Sequence, residues 1–235
     1  MMTPLAIDLF CGLGGWTDGL LAEGYNVVGF DIERHDYGDG NRYPAQLVIQ
    51  DILTIHGKQF KDAALIVASP PCQEYSYMAM PWSRAKTIAA EYRSGKRDVK
   101  KLTALFDACF RIQREAIEAA GHHIPLVVEN VRGAIPWVGR SRWNYGSFYL
   151  WGDVPALMPI TARCMSMVES RQTAEGIKHG GDWFSGYGGG SGWDHSQIRQ
   201  HNSKSPARKA ASAQIARIPF ALARHVGWAW KPKGP

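Results

Sequence analysis

The pentapeptide Ser69-Pro70-Pro71-Cys72-Gln73 carries the sharpest chemical signal in this sequence. It follows Leu65-Ile66-Val67-Ala68, a short apolar run that predicts a buried strand. Two successive prolines fix φ and remove two backbone donors, so the chain must leave the sheet there as a stiff loop. A thiol on such a loop, at the carboxyl edge of an α/β sheet, stands where ligands are usually met. It can act as a nucleophile if its thiolate form is favoured. Taken alone, Cys72 also fits as a small buried hydrophobe. Two further stretches weigh toward chemistry. Ala6-Ile7-Asp8-Leu9-Phe10-Cys11-Gly12-Leu13-Gly14-Gly15 reads as a strand running into a glycine-rich turn that opens a helix. Val127-Val128-Glu129-Asn130-Val131 puts a carboxylate at the end of another strand.

The glycine turn lets the backbone approach a ligand closely and adopt positive φ where needed. A helix over about 16–23 follows, with Gly24 as its C-terminal cap. This is a βα nucleotide-binding start, but Thr17 departs from the dinucleotide pattern GxGxxG, which argues against a nicotinamide cofactor. The second strand, over 26–30, ends in Asp31. An acid about twenty residues after the turn is placed to accept from ribose hydroxyls, although a strand-end carboxylate capping a turn sits in the same way. The polar, turn-rich stretch 33–46 is a connector, and His35 within it reads as a surface residue.

The glycine loop, then Pro-Pro-Cys-Gln, then Glu-Asn-Val resemble, in that order, the motifs of the DNA (cytosine-5)-methyltransferase family. The resemblance covers residues 4–150 well and the C-terminal part more weakly. It implies a doubly wound, mostly parallel α/β sheet of the Rossmann-like methyltransferase type, with S-adenosylmethionine as cofactor and no metal. Phe10, Gly12, Gly14 and Gly15 would form the cofactor turn. Asp31 would hold the ribose, Ile32 would pack on adenine, and Asp51 would meet the adenine amino group. Cys72 would add to C6 of cytosine, making C5 nucleophilic toward the methyl donor. Glu129 would contact N3 and the exocyclic amine, with Asn130 positioning that carboxylate or capping the loop.

The partner implied is double-stranded DNA with its target base flipped out. Gln73, Tyr75 and Ser76 are candidates to fill the gap, and Gln73, Asn130 and Arg142 are placed at the nucleic acid. The family's Gln-x-Arg-x-Arg string is missing, Arg140 and Arg142 being the nearest substitutes, and Ser212 stands where the final motif usually has Asn. The same chemistry on RNA or a free nucleotide, or an inactive homologue that binds cofactor or DNA, would share these motifs.

The elements that must position this chemistry fit in 235 residues, enough for one α/β core with a small lobe. The first ten residues carry no basic leader and no apolar run approaches the ~18 residues of a membrane span, so a soluble monomer in the cytoplasm of a prokaryote, or of a virus's host cell, is expected. Four scattered cysteines give neither a zinc spacing nor a disulfide framework. The formal charge is +6, and residues 84–101 alone carry seven basic and two acidic side chains. That run reads as a solvated face or as a long, mobile basic loop closing over phosphates. An amphipathic helix over 102–120 should bury Cys109 and end at Gly121, and 143–151 reads as one strand. The expected division is a catalytic and cofactor-binding domain over 1–159, a Gly- and Trp-rich recognition-like lobe over 160–205, and a returning helical segment over 206–235 broken at Pro219. A lobe so short implies a short or relaxed target sequence.

Overall fold

Apolar runs between glycine and proline breaks form the strands of one seven-stranded sheet. The computed structural model describes residues 3–35, 42–73, 75, 82–158, 171–172, 178–179, 213 and 216–233. In chain order the sheet contains β1 (Leu5–Leu9), β2 (Asn26–Asp31), β3 (Gln46–Ile49), β4 (Ala63–Ala68), β5 (Leu126–Asn130), β6 (Trp143–Tyr145) and β7 (Phe148–Gly152). Their spatial order is β3-β2-β1-β4-β5-β7-β6. The first five are parallel, and β7 and β6 are antiparallel additions at one edge. The sheet grows from β1 toward β3, then resumes at β4 on the other side of β1. This reversal makes the carboxyl ends of β1 and β4 a topological switch point, where ligands bind in open α/β sheets.

Helices cover both faces. On one side α1 (Gly15–Ala22) and a later helix, α5 (Phe220–Trp230), pack on Ala6, Leu65, Val67 and Val127. On the other, α3 (Val99–Ala120) sets Phe106, Cys109 and Ile112 against Ile7, Leu9, Ile66, Ala68, Leu126 and Val128. Each fully buried side chain of this size contributes about 1.5–3 kcal/mol of transfer free energy. The alternation of successive strand residues between the faces follows from the period of two. Cys109 is wholly buried in α3, and Gly121 caps that helix with φ 73°.

Contact between α1 and α5 is close enough to demand glycine: a Cβ at Gly19 would lie 2.4 Å from the backbone nitrogen of Arg224, and one at Gly15 would lie 2.5 Å from that of Ile218. Ion pairs Arg217–Asp18 and Arg224–Glu23 and the Tyr25 hydroxyl donating to the Gly227 carbonyl at 2.9 Å complete the seam. The segment after Pro219 therefore returns to the helix that starts at the glycine turn.

Three expectations need correction. Residues 84–101 are not a long loop: α2 (Trp82–Arg93) occupies most of them and α3 begins at Val99. Its buried stripe is Ala85, Ala89 and Tyr92, and the Glu91 carboxylate binds Arg97 at 2.5 Å and Lys96 at 3.9 Å. Residues 143–151 are a hairpin, turning at Gly146 with φ 62°. Glu129 lies within β5 and not beyond its end. The recognition-like lobe falls outside the described residues except for two-residue strands β8 (Arg171–Gln172) and β9 (Lys178–His179), which pair with each other.

Candidate active site

The turn after β1 is held from the neighbouring strand. The Gly12 amide donates to Asp31 Oδ2 at 2.9 Å, and the Cys11 amide to the Phe30 carbonyl at 3.2 Å. Phe10 has φ 57°, the one positive φ outside glycine among the described residues, and this bends the chain sharply out of the sheet. The glycines divide by purpose. A Cβ at Gly14 would meet Pro44 Cδ at 2.7 Å, and Gly15 is filled by Ile218, so both accommodate the chain itself. Gly12, with φ 51°, has nothing within 4 Å of its Cβ position and is the glycine open to a ligand.

Asp31 closes the end of β2. Its Oδ1 accepts from the Ile32 amide at 2.8 Å and lies 3.3 Å from His35 Nε2. Burial would raise this carboxyl, but the His35 hydrogen bond, joined by the Gly12 and Ile32 amides, outweighs it and holds the group below its ordinary value. His35 is therefore no plain surface residue: its side chain is 20% exposed and braces Asp31. The residue after Asp31, Ile32, is 68% exposed, and Leu53 in the turn after β3 is 49% exposed. Asp51 caps the 3-10 turn Ile52–Thr54 by accepting from the Leu53 amide at 2.9 Å. An open glycine, an ionised carboxylate at a strand end and exposed aliphatic side chains along one edge fit a nucleoside-bearing cofactor, with Leu53 an addition to the residues anticipated.

Under the turn lies a buried polar cluster. Asp8, paired with Gly29 and Val67 in the sheet, is fully buried and accepts from Thr17 Oγ1 at 2.7 Å. Thr17 also bonds the Tyr43 hydroxyl, whose ring fills the space over Gly29. Burial pushes Asp8 up to about 7, and its Oδ1 has no hydrogen-bond partner among the described residues. The threonine that breaks the dinucleotide pattern thus ties α1 to β1.

The cysteine loop leaves β4 under similar restraint. The Ser69 amide donates to the Leu9 carbonyl at 3.1 Å, and Asn130 Nδ2 donates to the Pro70 carbonyl at 3.0 Å. Asn130 is 1% exposed and its Oδ1 accepts from the Val131 amide, so its amide is committed to holding the loop. Tyr75 is likewise committed: it is buried, and its hydroxyl donates to the Leu102 carbonyl at 2.7 Å. Gln73 is exposed beside Cys72, while Ser76 and Ser212 lie outside the described residues. Arg142 stands just before the outermost strand of the sheet. It precedes Trp143, which pairs with Leu150 on the outermost strands, and Leu150 in turn pairs with Glu129.

Cys72 is half-buried, and its thiol is pushed up to about 11 by burial and then by the nearby Glu129 charge. Burial also pushes Glu129 up to about 8, against a hydrogen bond from Ser69. At neutral pH this half of the site therefore holds a thiol and a protonated carboxyl. The Ser69 oxygen in turn accepts from Trp16 Nε1 at 2.9 Å. Among the described residues no His, Cys, Asp and Glu cluster suits a metal ion, and no helix is long and apolar enough to cross a membrane.

Topology and site together define a Rossmann-like α/β protein with Gly12 and Asp31 at its switch point and Cys72 near Glu129. A family model for the C-5 cytosine-specific DNA methylase matches residues 5–116. The type II methylase M.HgiDII of Herpetosiphon aurantiacus is 32% identical over an 85-residue alignment, and the match covers 32% of this chain and 23% of that protein. The chain thus spans about a quarter of that relative's length. Among solved structures, the S. pombe Dnmt2 methyltransferase (18% identity, TM-score 0.37) covers 58% of this chain and 37% of its own. The Entamoeba histolytica methyltransferase EhMeth (17% identity, TM-score 0.38) covers 59% and 41%.

Proposed function

We propose that the protein transfers a methyl group to C5 of cytosine in DNA through a covalent adduct of Cys72. The observation that carries this reading is a restrained thiol just after β4 beside a protonated carboxyl near the carboxyl end of the adjacent parallel β5, next to a switch-point crevice with the Gly12–Asp31 pair. S-adenosylmethionine, held by Gly12, Asp31, Ile32 and Asp51, supplies an electrophilic methyl group when bound.

The chain's own residues do the rest. Cytosine C5 is a weak nucleophile until a thiolate adds at C6. As the base enters, the Cys72 thiol loses its proton to solvent water and the resulting thiolate sulfur bonds to C6, while Glu129 delivers its own proton to N3 and is left as the carboxylate. Glu129 suits that task because its raised value keeps it protonated at neutral pH. The ring then carries the pushed electrons at C5 and N3 without a full negative charge. After C5 is methylated, a solvent water or hydroxide takes the C5 proton, the C5–C6 double bond re-forms as the C6–sulfur bond breaks to release the Cys72 thiolate, and N3 returns its proton to the Glu129 carboxylate. Asn130 and Pro70 keep the sulfur from drifting during these steps. The target carbon is hidden in a duplex, so the base must leave the stack, and Gln73 is the exposed neighbour of Cys72 suited to contact what remains.

Incubation with radiolabelled S-adenosylmethionine and a mixed-sequence duplex, followed by nucleoside analysis, tests the reading. It predicts label in 5-methylcytosine and, on a 5-fluorocytosine duplex, a covalent adduct that Cys72→Ser abolishes. Label in transfer RNA or dCTP with none in the duplex would overturn the DNA assignment while keeping the chemistry.

A further inference from the structure

The strand register builds a row that the motifs do not reveal. Leu9 pairs with Ala68, and Ala68 with Val128. The next residue on each strand is Phe10, Ser69 and Glu129, so Ser69 stands beside Glu129 at the carboxyl edge. Alternation turns both side chains to the face of Val67 and Val127, which α1 covers. There Trp16, the second residue of α1 and 2% exposed, donates its indole N–H to Ser69 Oγ at 2.9 Å. An indole N–H can only donate, whereas a hydroxyl has one hydrogen of its own to give. With its oxygen accepting from Trp16, Ser69 keeps that hydrogen to turn toward the neighbouring Glu129 carboxyl, which it draws down against the effect of burial. Donation therefore has one direction, from Trp16 to Ser69 and from Ser69 toward Glu129.

We infer that Ser69 is a positioning residue, fixed by Trp16, that occupies one oxygen of Glu129 and so leaves the acid's proton on the oxygen that meets the base. This rests on the reading of Glu129 as the proton donor to cytosine. An oxygen that accepts from Ser69 is the poorer seat for the acidic proton, and the opposite oxygen becomes the donor. Without Ser69 the carboxyl is free to carry its proton on either oxygen and to rotate. The same chain links the two halves of the site, because Trp16 stands one residue past Gly15 at the start of the helix opened by the cofactor turn.

The test uses the full chain with Ser69→Ala, Ser69→Thr and Trp16→Phe. Ser69 favours the charged form of Glu129, so its loss moves the carboxyl's titration upward. Ser69→Ala should lower kcat for methyl transfer by about tenfold to a hundredfold and move the basic limb of the pH profile up, with cofactor affinity held within about twofold. Ser69→Thr should restore both rate and limb, and Trp16→Phe should shift them part of the way. Unchanged limbs in Ser69→Ala, or a threonine variant no better than alanine, would overturn the inference. A second measurement does not need turnover: difference infrared titration of the carboxyl, wild type against Glu129→Gln. A midpoint that rises in Ser69→Ala while the wild type methylates nothing would sink the proposed function and leave the Ser69–Glu129 link standing. An unmoved midpoint would remove the link whatever the activity.

Discussion

Asp31 and Glu129 are both carboxyls at the carboxyl edge of one parallel sheet, yet their surroundings drive them in opposite directions. Asp31 is met by two backbone amides and His35, and it stays ionised below its ordinary range. Glu129 is met by one hydroxyl in a buried setting and stays protonated up to about 8. Titratable groups pushed apart in this way are how one fold runs acceptor and donor chemistry at the same pH. On the proposed reading, the Asp31 half of the crevice accepts hydrogen bonds and the Cys72 half gives up protons. The contrast extends to their loops: Gly14 and Gly15 are pinned by Pro44 and Ile218, whereas Cys72 is held through its neighbours Pro70 and Tyr75.

The most severe way to break the donor half is Cys72→Ser. A serine hydroxyl does not ionise in this setting, so methyl transfer should fall by at least roughly a thousandfold while cofactor affinity stays within about twofold. Side-by-side rate and calorimetric measurements decide it, and equal loss of both would make the residue structural. Next comes Glu129→Gln, which keeps the shape but removes the acidic proton and should cost about a hundredfold or more in kcat. Its stability signature has a definite sign. A carboxyl whose folded value is raised from 4.5 to about 8 contributes stability that is fully present below about 4.5 and lost as pH rises through 8. The glutamine variant should therefore melt like the wild type at pH 5 and above it at pH 9, the gap being at most roughly 4 kcal/mol. A wild type as stable at pH 9 as at pH 5 would contradict the buried, protonated assignment.

How much of this contrast can be read from the residue string depends on the range of the interactions. The central strands are plain because their apolar runs are bounded by Gly12, Gly24 and Pro70, and the chemistry of Cys72 and Glu129 lies in their types and flanks. Helix α2 is concealed because its buried stripe uses alanines at 85 and 89, which signal apolar periodicity weakly beside seven basic residues. The β6–β7 hairpin had a usable signal in Gly146-Ser147 between aromatic runs, a pairing favoured in tight hairpin turns. His35, Trp16 and Ser69 were unremarkable in sequence for different reasons. Trp16 and Ser69 are 53 residues apart and meet only through the parallel register. His35 acts four residues from Asp31, but in a polar stretch that looks like any surface connector. The place of Arg142 just before the edge strand β6 was equally hidden, because the antiparallel pairing of β5, β7 and β6 is not visible in the motif order.

The acceptor half breaks more gently. Asp31→Asn keeps the size but turns one acceptor oxygen into a donor that faces the Gly12 or Ile32 amide, so the turn loses its brace as well as its charge. Cofactor affinity should fall by about ten- to a hundredfold, with kcat at saturating cofactor reduced far less. A drop confined to kcat would reverse the division of labour between the two carboxyls.

The smallest effect, and the finest probe of the contrast, is His35→Ala. His35 gives the leading favourable hydrogen bond to Asp31, so removing it lets burial draw that carboxyl back up. In the wild type the ionised acceptor persists below the ordinary aspartate range, and cofactor affinity should stay flat as pH falls until the depressed value is reached. In the variant the acid limb should begin at higher pH, with only a few-fold loss of affinity near neutrality, where both proteins hold the carboxylate ionised. Equilibrium binding measured from pH 7 down to pH 4 reads this directly. If the two curves superimpose, the Gly12 and Ile32 amides alone keep Asp31 charged, and the acceptor half of the crevice is set by backbone geometry without help from the histidine.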